Sequence, residues 1–340
     1  MRVLLTSILC RSGLMTHVND LARYLAGRGI FAAIAFKRVN YLSDEGKQSI
    51  LARLGEIPRL IYDSTEELER FIAEIKCTLI HAHSHATFQS AAEASVRMGI
   101  PLVVTLHSVY PWHRRFRAVL ALANRIIAVG PAQAREARGF LGKTEVIQNG
   151  IDTQYFVPGQ GGEPGSGQIN VLWYGRVDGK LARGLGVLDQ IAPLLPEDIK
   201  LVALGSARPQ PKNIPLLPWT DDPRPFLQQS QITFGHSRSL REAMASGSIG
   251  ILLGHGYGGM VTEERLIKEN LVLDAFPEYR LAKPRPAVIL QDLLTLAQRP
   301  DLAELRQGAR AVAEKYFALE EMGEKVVEAY LAALDHTGHA

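Results

Sequence analysis

Residues 232–251 read ITFGHSRSLREAMASGSIGI, and this stretch sets the interpretation of the whole chain. A short apolar strand, Gln231 to Phe234, leads through small residues into a helix-forming run, Ser239 to Ala245, which Gly247 ends before another apolar strand. A helix that starts directly after a strand offers unpaired backbone N–H groups and partial positive charge, to which Arg238 adds a cation. The stretch therefore predicts a site for an anion such as a phosphate.

The same residues also have a purely structural interpretation. Ser239 and Glu242 have the spacing of a capping box, in which two side chains satisfy backbone N–H groups at a helix start and bind no ligand. The stretch alone leaves both interpretations open.

Length and composition describe a globular protein large enough for two domains: 340 residues, of which 46% are hydrophobic and 21% charged. Residues 1–155 contain 19 Lys and Arg against 13 Asp and Glu, and residues 156–340 contain 19 against 22. The two parts thus carry charges of +6 and −3, which predicts an anionic partner for the first, whereas the total of +3 is too small to indicate nucleic acid.

Features of targeting and redox chemistry favour a cytoplasmic protein. The two cysteines, Cys10 and Cys77, make no disulfide framework. The opening MRVLLTSILCRSG is interpreted as a first β-strand because its apolar run is too short for a signal sequence, and no apolar run reaches the length of a membrane span.

Strands alternate with helices throughout the first 155 residues, which predicts a parallel, doubly wound sheet. Such a sheet binds ligands at the carboxyl ends of its strands. The residues expected at those ends are Ser12 and Gly13, then His81, His83 and His85 in HAHSH, and His107 and Ser108 in TLHS.

A metal site at these histidines is one hypothesis. His81 and His83 lie two residues apart in an extended segment and face the same way, but no Cys, Asp or Glu accompanies them at a ligand spacing. We therefore favour core-packing or substrate-binding histidines and expect no metal.

The segment 150–167, GIDTQYFVPGQGGEPGSG, is dense in Gly and Pro and continues neither helix nor strand. The strand and helix alternation restarts after it. The predicted organisation is an N-terminal domain 1–155, a linker 156–167, a C-terminal domain 168–318, and a final helix, 319–340, that packs back on the first domain.

Eight fragments occur in a fixed order over nearly the whole length: SGLMTHVNDLARYLAGRG, LIHAHSHATF, GIPLVVTLHS, RIIAVGPA, VIQNGIDTQYF, WYGRVDGK, LREAMASG and GGMVTEE. Together they resemble the GT-B-fold glycosyltransferases of the large retaining class, family four. The resemblance implies two Rossmann-like doubly wound domains facing across a cleft. It further implies transfer of a sugar from a nucleotide diphosphate sugar.

The resemblance assigns roles near the transferred sugar and the leaving diphosphate. His107 would contact the sugar, Gly13 would let the backbone approach the donor, and Arg176 and Lys180 would neutralise the diphosphate. Charge builds on the β-phosphate as the nucleotide leaves, so cations there stabilise the transition state more than the ground state. Arg183 competes with Lys180, because the family often has Lys-Gly where this chain has Arg183-Gly184.

The resemblance also makes Glu242 the residue that holds the ribose hydroxyls. Most relatives have a second glutamate eight positions earlier, against the donor sugar, where this chain has Phe234. The loop GHSRS resembles a branch with a shortened Gly-x-x-Arg-Ser turn. The sugar contacts are expected to pass to His236, Ser237 and Arg238, and Ser239 is expected to belong to the donor-binding residues.

The loop 254–262, GHGYGGMVT, resembles the glycine loop that wraps the donor. Gly258, Gly259 and Met260 are expected to offer backbone N–H groups to it, with a flexible surface turn as the alternative. The sequence contains no Asp-x-Asp pair to hold a metal at the phosphates. Transfer without a metal, and with no cofactor beyond the nucleotide sugar, is the expectation.

The acceptor is assigned to the N-terminal domain, at Ser12, His17, His83, Ser84, Arg114 and Arg115. WHRRFR, residues 112–117, is expected to open a helix with cations where its macrodipole disfavours them, which indicates an anionic partner. A membrane surface carrying a lipid-linked or polysaccharide acceptor is the hypothesis, and a solvated basic face is the alternative.

The sequence thus predicts a cytoplasmic hexosyltransferase, peripheral at the inner membrane face, that uses a UDP- or GDP-linked sugar for cell-envelope polysaccharide synthesis and retains the anomeric configuration. Two alternatives remain: a degenerate binding or partner subunit without catalysis, and a GT-B-fold nucleotide-sugar epimerase. A dehydrogenase is disfavoured because no Gly-x-Gly-x-x-Gly follows the first strand.

Overall fold

The structure, a computed structural model, describes residues 1–39, 42–159, 167–176, 179–205 and 210–335. The chain divides into two compact units. Unit 1 is Met1–Gly150 with Leu319–Ala340, and unit 2 is Ile151–Ala318. The division thus falls at Gly150 rather than at 155, and of the predicted linker residues 160–166 lie outside the described part of the chain.

Each unit is built from parallel strands and helices, as predicted. The described strands are β1 Arg2–Ile8, β2 Phe31–Lys37, β3 Arg59–Tyr62, β4 Leu79–Ala82, β5 Leu102–Leu106, β6 Arg125–Ala128, β7 Thr144–Val146, β8 Ile169–Tyr174, β9 Ile199–Leu204, β10 Leu216–Leu217, β11 Ile232–Gly235, β12 Ile249–Leu253 and β13 Tyr257–Met260. The described α-helices are α1 Gly13–Gly27, α2 Asp44–Arg53, α3 Thr65–Glu74, α4 His85–Met98, α5 Trp112–Arg115, α6 Arg117–Leu122, α7 Pro131–Arg135, α8 Arg183–Ile191, α9 Arg224–Gln229, α10 Ser237–Ala245, α11 Glu263–Lys268, α12 Pro286–Ala297, α13 Leu302–Tyr316 and α14 Leu319–Asp335.

The unit 1 sheet has the order β3-β2-β1-β4-β5-β6-β7, and every pair in it is parallel. The order reverses between β1 and β4, so the carboxyl ends of these strands border a topological switch point. Successive residues of β1 enter different cores, Leu4 on one face and Val3 and Leu5 on the other. The core containing Val3 and Leu5 also takes up Met322 and Val326 of α14, which assigns that helix to unit 1.

A hydrogen-bonded histidine joins the sheet to α14. His81 in β4 is fully buried, with Nδ1 2.6 Å from the Tyr330 hydroxyl and Nε2 2.6 Å from the Thr105 hydroxyl. His81 therefore has both ring nitrogens satisfied inside unit 1.

Tyr330→Phe is expected to lower the free energy of unfolding by about 1–3 kcal/mol, because it leaves His81 Nδ1 buried without its partner. Urea denaturation measures the loss. Tyr110→Phe, which removes a hydroxyl from an exposed tyrosine, is the matched control. Equal stability of the two variants would contradict the contact.

The unit 2 sheet has the order β10-β9-β8-β11-β12-β13, parallel except for the β12–β13 pair. Its switch point lies between β8 and β11. A Cβ at Gly235 would collide with the Tyr174 carbonyl oxygen, so glycine is what lets these two strands end side by side. The stretch that predicted a strand, a turn and a helix start thus lies at the switch point of its own sheet.

The two ends of unit 2 meet. The Ile151 N–H donates to the Phe317 carbonyl at 2.8 Å, and Ile151 forms an isolated parallel bridge with Ala318. Within the described residues, every helix falls short of the length and hydropathy that crossing a bilayer requires.

Candidate functional site

Four histidines of unit 1 form one cluster at its switch point, which we call the histidine cluster: His17, His81, His83 and His107. His17 lies on α1, His83 directly follows β4, and His107 directly follows β5. His83 Nδ1 is 3.2 Å from His107 Nε2, and the His17 and His107 rings meet edge to face with centroids 4.8 Å apart. The structure therefore brings together His17, His83 and His107, which belong to three separate segments of the sequence.

Burial decides the charge of this cluster. It lowers the pKa of His107 to about 3. Burial first, and neighbouring histidines second, hold the pKa values of His81 and His83 well below their usual range. At neutral pH these three rings are uncharged, so they act through hydrogen bonds or as neutral ligands rather than as cations.

The remaining predicted acceptor-side residues have different positions. Ser12 is exposed at the N-cap of α1, 3.0 Å from the Cys10 sulfur, and Gly13 is the exposed first residue of α1. Ser84 caps α4 by accepting from the Ala86 N–H at 3.3 Å. Ser84 therefore has a structural role in addition to any contact with a ligand.

The helix predicted to open at WHRRFR begins at Trp112, but it is interrupted after four residues. The helix stops after Arg115, and α6 begins at Arg117 beyond the non-helical Phe116. Because α5 is a single turn, Arg114 and Arg115 lie near both of its ends, and the macrodipole neither favours nor disfavours them. Arg117 is the first residue of α6, where a cation is disfavoured, and all three arginines are exposed.

In unit 2, side chains converge beside the ends of β8 and β11, and we call this group the switch-point cluster: Tyr174, His236, Ser237, Arg238, Glu242 and Asp274. Glu242 is buried and accepts from Arg238 Nε at 2.6 Å and from the Tyr174 hydroxyl at 2.8 Å. Burial first, and the Glu242 carboxylate second, hold the Tyr174 pKa well above its usual range. The phenol therefore stays a hydrogen-bond donor to Glu242.

These contacts correct the capping-box interpretation. The helix begins at Ser237 with His236 as its N-cap, two residues before the predicted start. The Ser239 hydroxyl donates to the His236 carbonyl at 2.8 Å instead of accepting from a backbone N–H. Glu242 lies one helical turn after Arg238 and so faces it on the same side of α10. Arg238 and Tyr174 therefore hold its carboxylate.

His236 is buried at the start of α10, against glycines. Cβ atoms added to Gly175 or Gly254 would come within 3.6 and 3.0 Å of its ring. His236 Nε2 has no hydrogen-bond partner among the described residues, and Nδ1 is 3.3 Å from the Ser237 hydroxyl. Burial lowers the His236 pKa to about 4; Asp274 opposes this shift and Arg176 adds to it. Arg176 is therefore near enough to act on this ring.

Ser237 has an unusual backbone conformation for a residue with a side chain, with φ of 54°. Its hydroxyl donates to the Asp274 carboxylate, which is buried. A non-glycine residue held in the left-handed region costs free energy, and such residues concentrate at functional sites. Asp274 thus fixes the turn from which His236 and α10 project.

The stability of unit 2 is expected to fall as the pH drops from about 6.5 to 4, because His236 is protonated more readily in the unfolded chain than in the folded one. Between these pH values, the free energy of unfolding that His236 contributes falls by up to ~1.4 kcal/mol for each pH unit. Above pH 6.5 this contribution is fully present. Urea denaturation followed by Trp173 fluorescence, with Trp112 and Trp219 replaced by Phe, measures it. An unchanged slope in His236→Gln would contradict the assignment.

The three predicted diphosphate cations lie on the segment after β8. Arg176 follows the strand, Lys180 is in a 3-10 turn, and Arg183 begins α8. All three are exposed, and the intervening residues 177–178 lie outside the described part of the chain. An exposed cation carries no burial cost and is accessible to an anion.

The predicted donor loop at Gly258, Gly259 and Met260 is instead a strand. These residues belong to β13, which pairs antiparallel with β12; the register shift there leaves Gly258 as a bulge between paired residues. Arg265 donates to the Gly258 and Met260 carbonyls, so this hairpin is braced from its own unit. Pairing with β12 thus uses backbone groups of this segment that were predicted to bind a phosphate.

Comparisons with known proteins agree with this architecture. The model of Glycosyltransferase Family 4 matches residues 11–155. A glycosyltransferase from Rickettsia africae superposes with a TM-score of 0.75 at 15% identity, covering 98% of each chain. Anabaena Alr3699/HepE, solved in complex with UDP-glucose, gives 0.73 at 16% identity and covers 98% of this chain and 100% of its own. The chain has the GT-B fold.

Other comparisons limit what the GT-B fold alone establishes. A putative UDP-N-acetylglucosamine 2-epimerase from Listeria monocytogenes also superposes, with a TM-score of 0.60 at 12% identity over 98% of this chain and 97% of its own. No curated protein matches the sequence significantly. Activity must therefore be argued from the residues at the two switch points.

Two members of the switch-point cluster of this GT-B chain were missed by sequence reasoning. Tyr174 ends a strand in WYGR and was interpreted as part of its apolar pattern. Asp274 is a single acidic residue in the apolar run LVLDAF, a signal that does indicate a buried, bonded carboxylate.

Proposed function

We propose that the protein is a glycosyltransferase that binds a nucleotide diphosphate sugar through unit 2. The observation that carries the proposal is the switch-point cluster, where the buried Arg238–Glu242–Tyr174 group lies beside His236 and within the influence of Arg176. A carboxylate fixed by two donors still has lone pairs for ribose hydroxyls. The UDP-glucose bound by the HepE structure supports a uridine nucleotide as donor.

In the proposed reaction, one group of residues binds the diphosphate end of the donor and another binds its sugar end. Arg176, with Lys180 or Arg183, stabilises the leaving diphosphate, and His236 with Ser237 replaces the sugar contact of the missing glutamate. His107, half-buried and neutral because desolvation lowers its pKa to about 3, contacts the transferred sugar through a hydrogen bond. Retention of configuration and phosphate departure without a metal complete the proposal.

A thermal-shift panel of UDP, GDP and their sugars, with Mg²⁺ or with EDTA, tests the donor class, because a ligand of the folded state raises Tm by mass action. One nucleotide is expected to raise Tm by several degrees regardless of EDTA, and Arg176→Ala should weaken the shift. No shift with any nucleotide would favour the degenerate binding subunit.

The nucleotide-sugar epimerase is the second candidate, favoured by the Listeria neighbour. Product analysis separates the two: a transferase releases nucleoside diphosphate only as sugar leaves the donor, whereas an epimerase returns an altered nucleotide sugar. Altered nucleotide sugar without an acceptor would replace the transferase proposal.

The acceptor is proposed to bind unit 1, with a membrane contact through exposed Arg114, Arg115 and Arg117. Charge reversal at these three positions is expected to abolish sedimentation with vesicles containing anionic phospholipid. Reversal of exposed Arg97, Arg53 and Arg28 in the same unit is the matched control. Equal vesicle binding by both variants would contradict the contact.

A further inference from the structure

Three of the four residues of the histidine cluster present nitrogen atoms to one point of unit 1. One ring nitrogen from each of His17, His83 and His107 lies within 4.8 Å of the other two. The residues come from three elements that follow neighbouring strands, so the fold, and not one flexible loop, brings them together.

The spacing suits a tetrahedral ion. Two nitrogens that each lie 2.0–2.1 Å from a tetrahedral zinc ion are about 3.3 Å apart. His83 Nδ1 and His107 Nε2 are 3.2 Å apart. His17 has to move by roughly 1–2 Å to join them, which side-chain rotation on a fixed helix supplies.

The surroundings of His83 leave it available as a ligand. Its Nε2 is buried without a hydrogen-bond partner among the described residues, and its Nδ1 faces another imidazole, that of His107. Hydrogen bonds to Thr105 and Tyr330 occupy both nitrogens of His81, whose ring packs against His83 with centroids 3.9 Å apart. His81 is thus the residue that orients the His83 ring, and His17 and His107 are the ones that join it.

We propose that His17, His83 and His107 bind a divalent transition metal of the zinc class. Neutral imidazoles suit Zn²⁺ and Co²⁺, whereas Mg²⁺ and Ca²⁺ require oxygen ligands, which this trio lacks. Three protein ligands leave a fourth position open. Because the trio contributes no negative charge, water or an anion such as phosphate fills that position.

This site does not rest on the proposed sugar transfer. The transfer proposal needs no metal at the diphosphate, and the ion takes only one of the two ring nitrogens of His107. Metal binding is therefore measured directly rather than through activity.

The test is titration of full-length, tag-free, metal-stripped protein with Co²⁺, whose visible absorption becomes intense in four-coordinate geometry. We expect saturation at about one Co²⁺ per chain, displacement by an equimolar amount of Zn²⁺, and at least ~10-fold weaker binding in His17→Gln and in His83→Gln. His113→Gln is the matched control: His113 belongs to unit 1 but is held by the Glu136 carbonyl outside the cluster.

Circular dichroism of the metal-free variants shows whether each is folded. If His83→Gln does not fold, His17→Gln alone provides the test. Absence of the four-coordinate spectrum in the wild-type protein would overturn the proposal. So would equal affinity in folded His17→Gln and wild type.

Discussion

Arg176→Ala is expected to lower kcat for sugar transfer by about 10²–10³-fold while leaving the protein as stable as the wild type. Arg176 is exposed, so its removal leaves no buried charge behind, yet it acts on the buried His236 ring beside it. If it stabilises the leaving diphosphate, its contribution is greatest in the transition state. Steady-state kinetics with the donor identified by the thermal-shift panel measure the effect.

The controls for this prediction are other exposed cations of unit 2. Arg299→Ala removes an arginine paired with Asp301 on the surface and is expected to leave kcat unchanged. Lys180→Ala and Arg183→Ala, compared with each other, identify which of the two assists Arg176. A raised KM with unchanged kcat in Arg176→Ala would assign the residue to ground-state binding instead.

Glu242→Ala is expected to destabilise unit 2 by about 3–5 kcal/mol, because it leaves Arg238 buried without its carboxylate. Glu242→Gln keeps the shape and an acceptor for Tyr174, so it should be milder in stability. Since it removes the carboxylate charge, it should still weaken donor binding. Denaturation followed by Trp173 fluorescence gives the first effect and nucleotide titration the second.

A second glutamate–cation pair with the same helical spacing provides the comparison. Glu264 and Lys268 on α11 are also four residues apart, at 2.9 Å, but both are exposed. Glu264→Ala is therefore expected to have no measurable effect. Replacing Arg238 and Glu242 together with leucine should recover much of the stability lost in Glu242→Ala, and failure to do so would show that Arg238 is not the source of the loss.

The fold was predictable because its signals are local. Buried parallel strands read as short apolar runs, and turn residues separate them from helices, as in β2, Phe31–Lys37, and β8, Ile169–Tyr174. The boundary between the units was misplaced for the opposite reason. Phe156 lies in a glycine- and proline-rich segment but is buried in unit 2, and a composition count cannot register that contact.

The candidate site was predictable only as far as chain position indicates it. Residues after strand ends were rightly expected to gather at a switch point, and His83 and His107 do. His17, which was assigned to the acceptor site with His83, joins them from α1, a helix that returns to the same edge, and the strand-end rule alone does not select it. His81, the other member of the predicted pair, is hydrogen-bonded through Nδ1 to Tyr330, which lies 249 residues further along the chain. That contact could not be read from the local sequence.

Two of the errors share one physical origin, which is competition between alternative hydrogen-bond partners. Ser239 and Glu242 match a capping box, but Arg238 and Tyr174 provide Glu242 with stronger, charge-assisted and buried bonds. Similarly, the Tyr257–Met260 segment pairs as an edge strand because β12 offers it an unpaired ladder. A local motif describes what a segment does only when no better partner is nearby.

The meeting of Ile151 with Phe317 and Ala318 determines the order in which the chain can mature during synthesis. Unit 2 is complete once residue 318 has emerged, and its ends are already tied. Unit 1 is still incomplete at that point, because Tyr330, which bonds His81, and α14, which covers the β1 core, are synthesised after residue 318. A nascent chain therefore carries a finished second unit while the first still exposes an apolar sheet face, and this interval is when the protein is most exposed to aggregation and to chaperones.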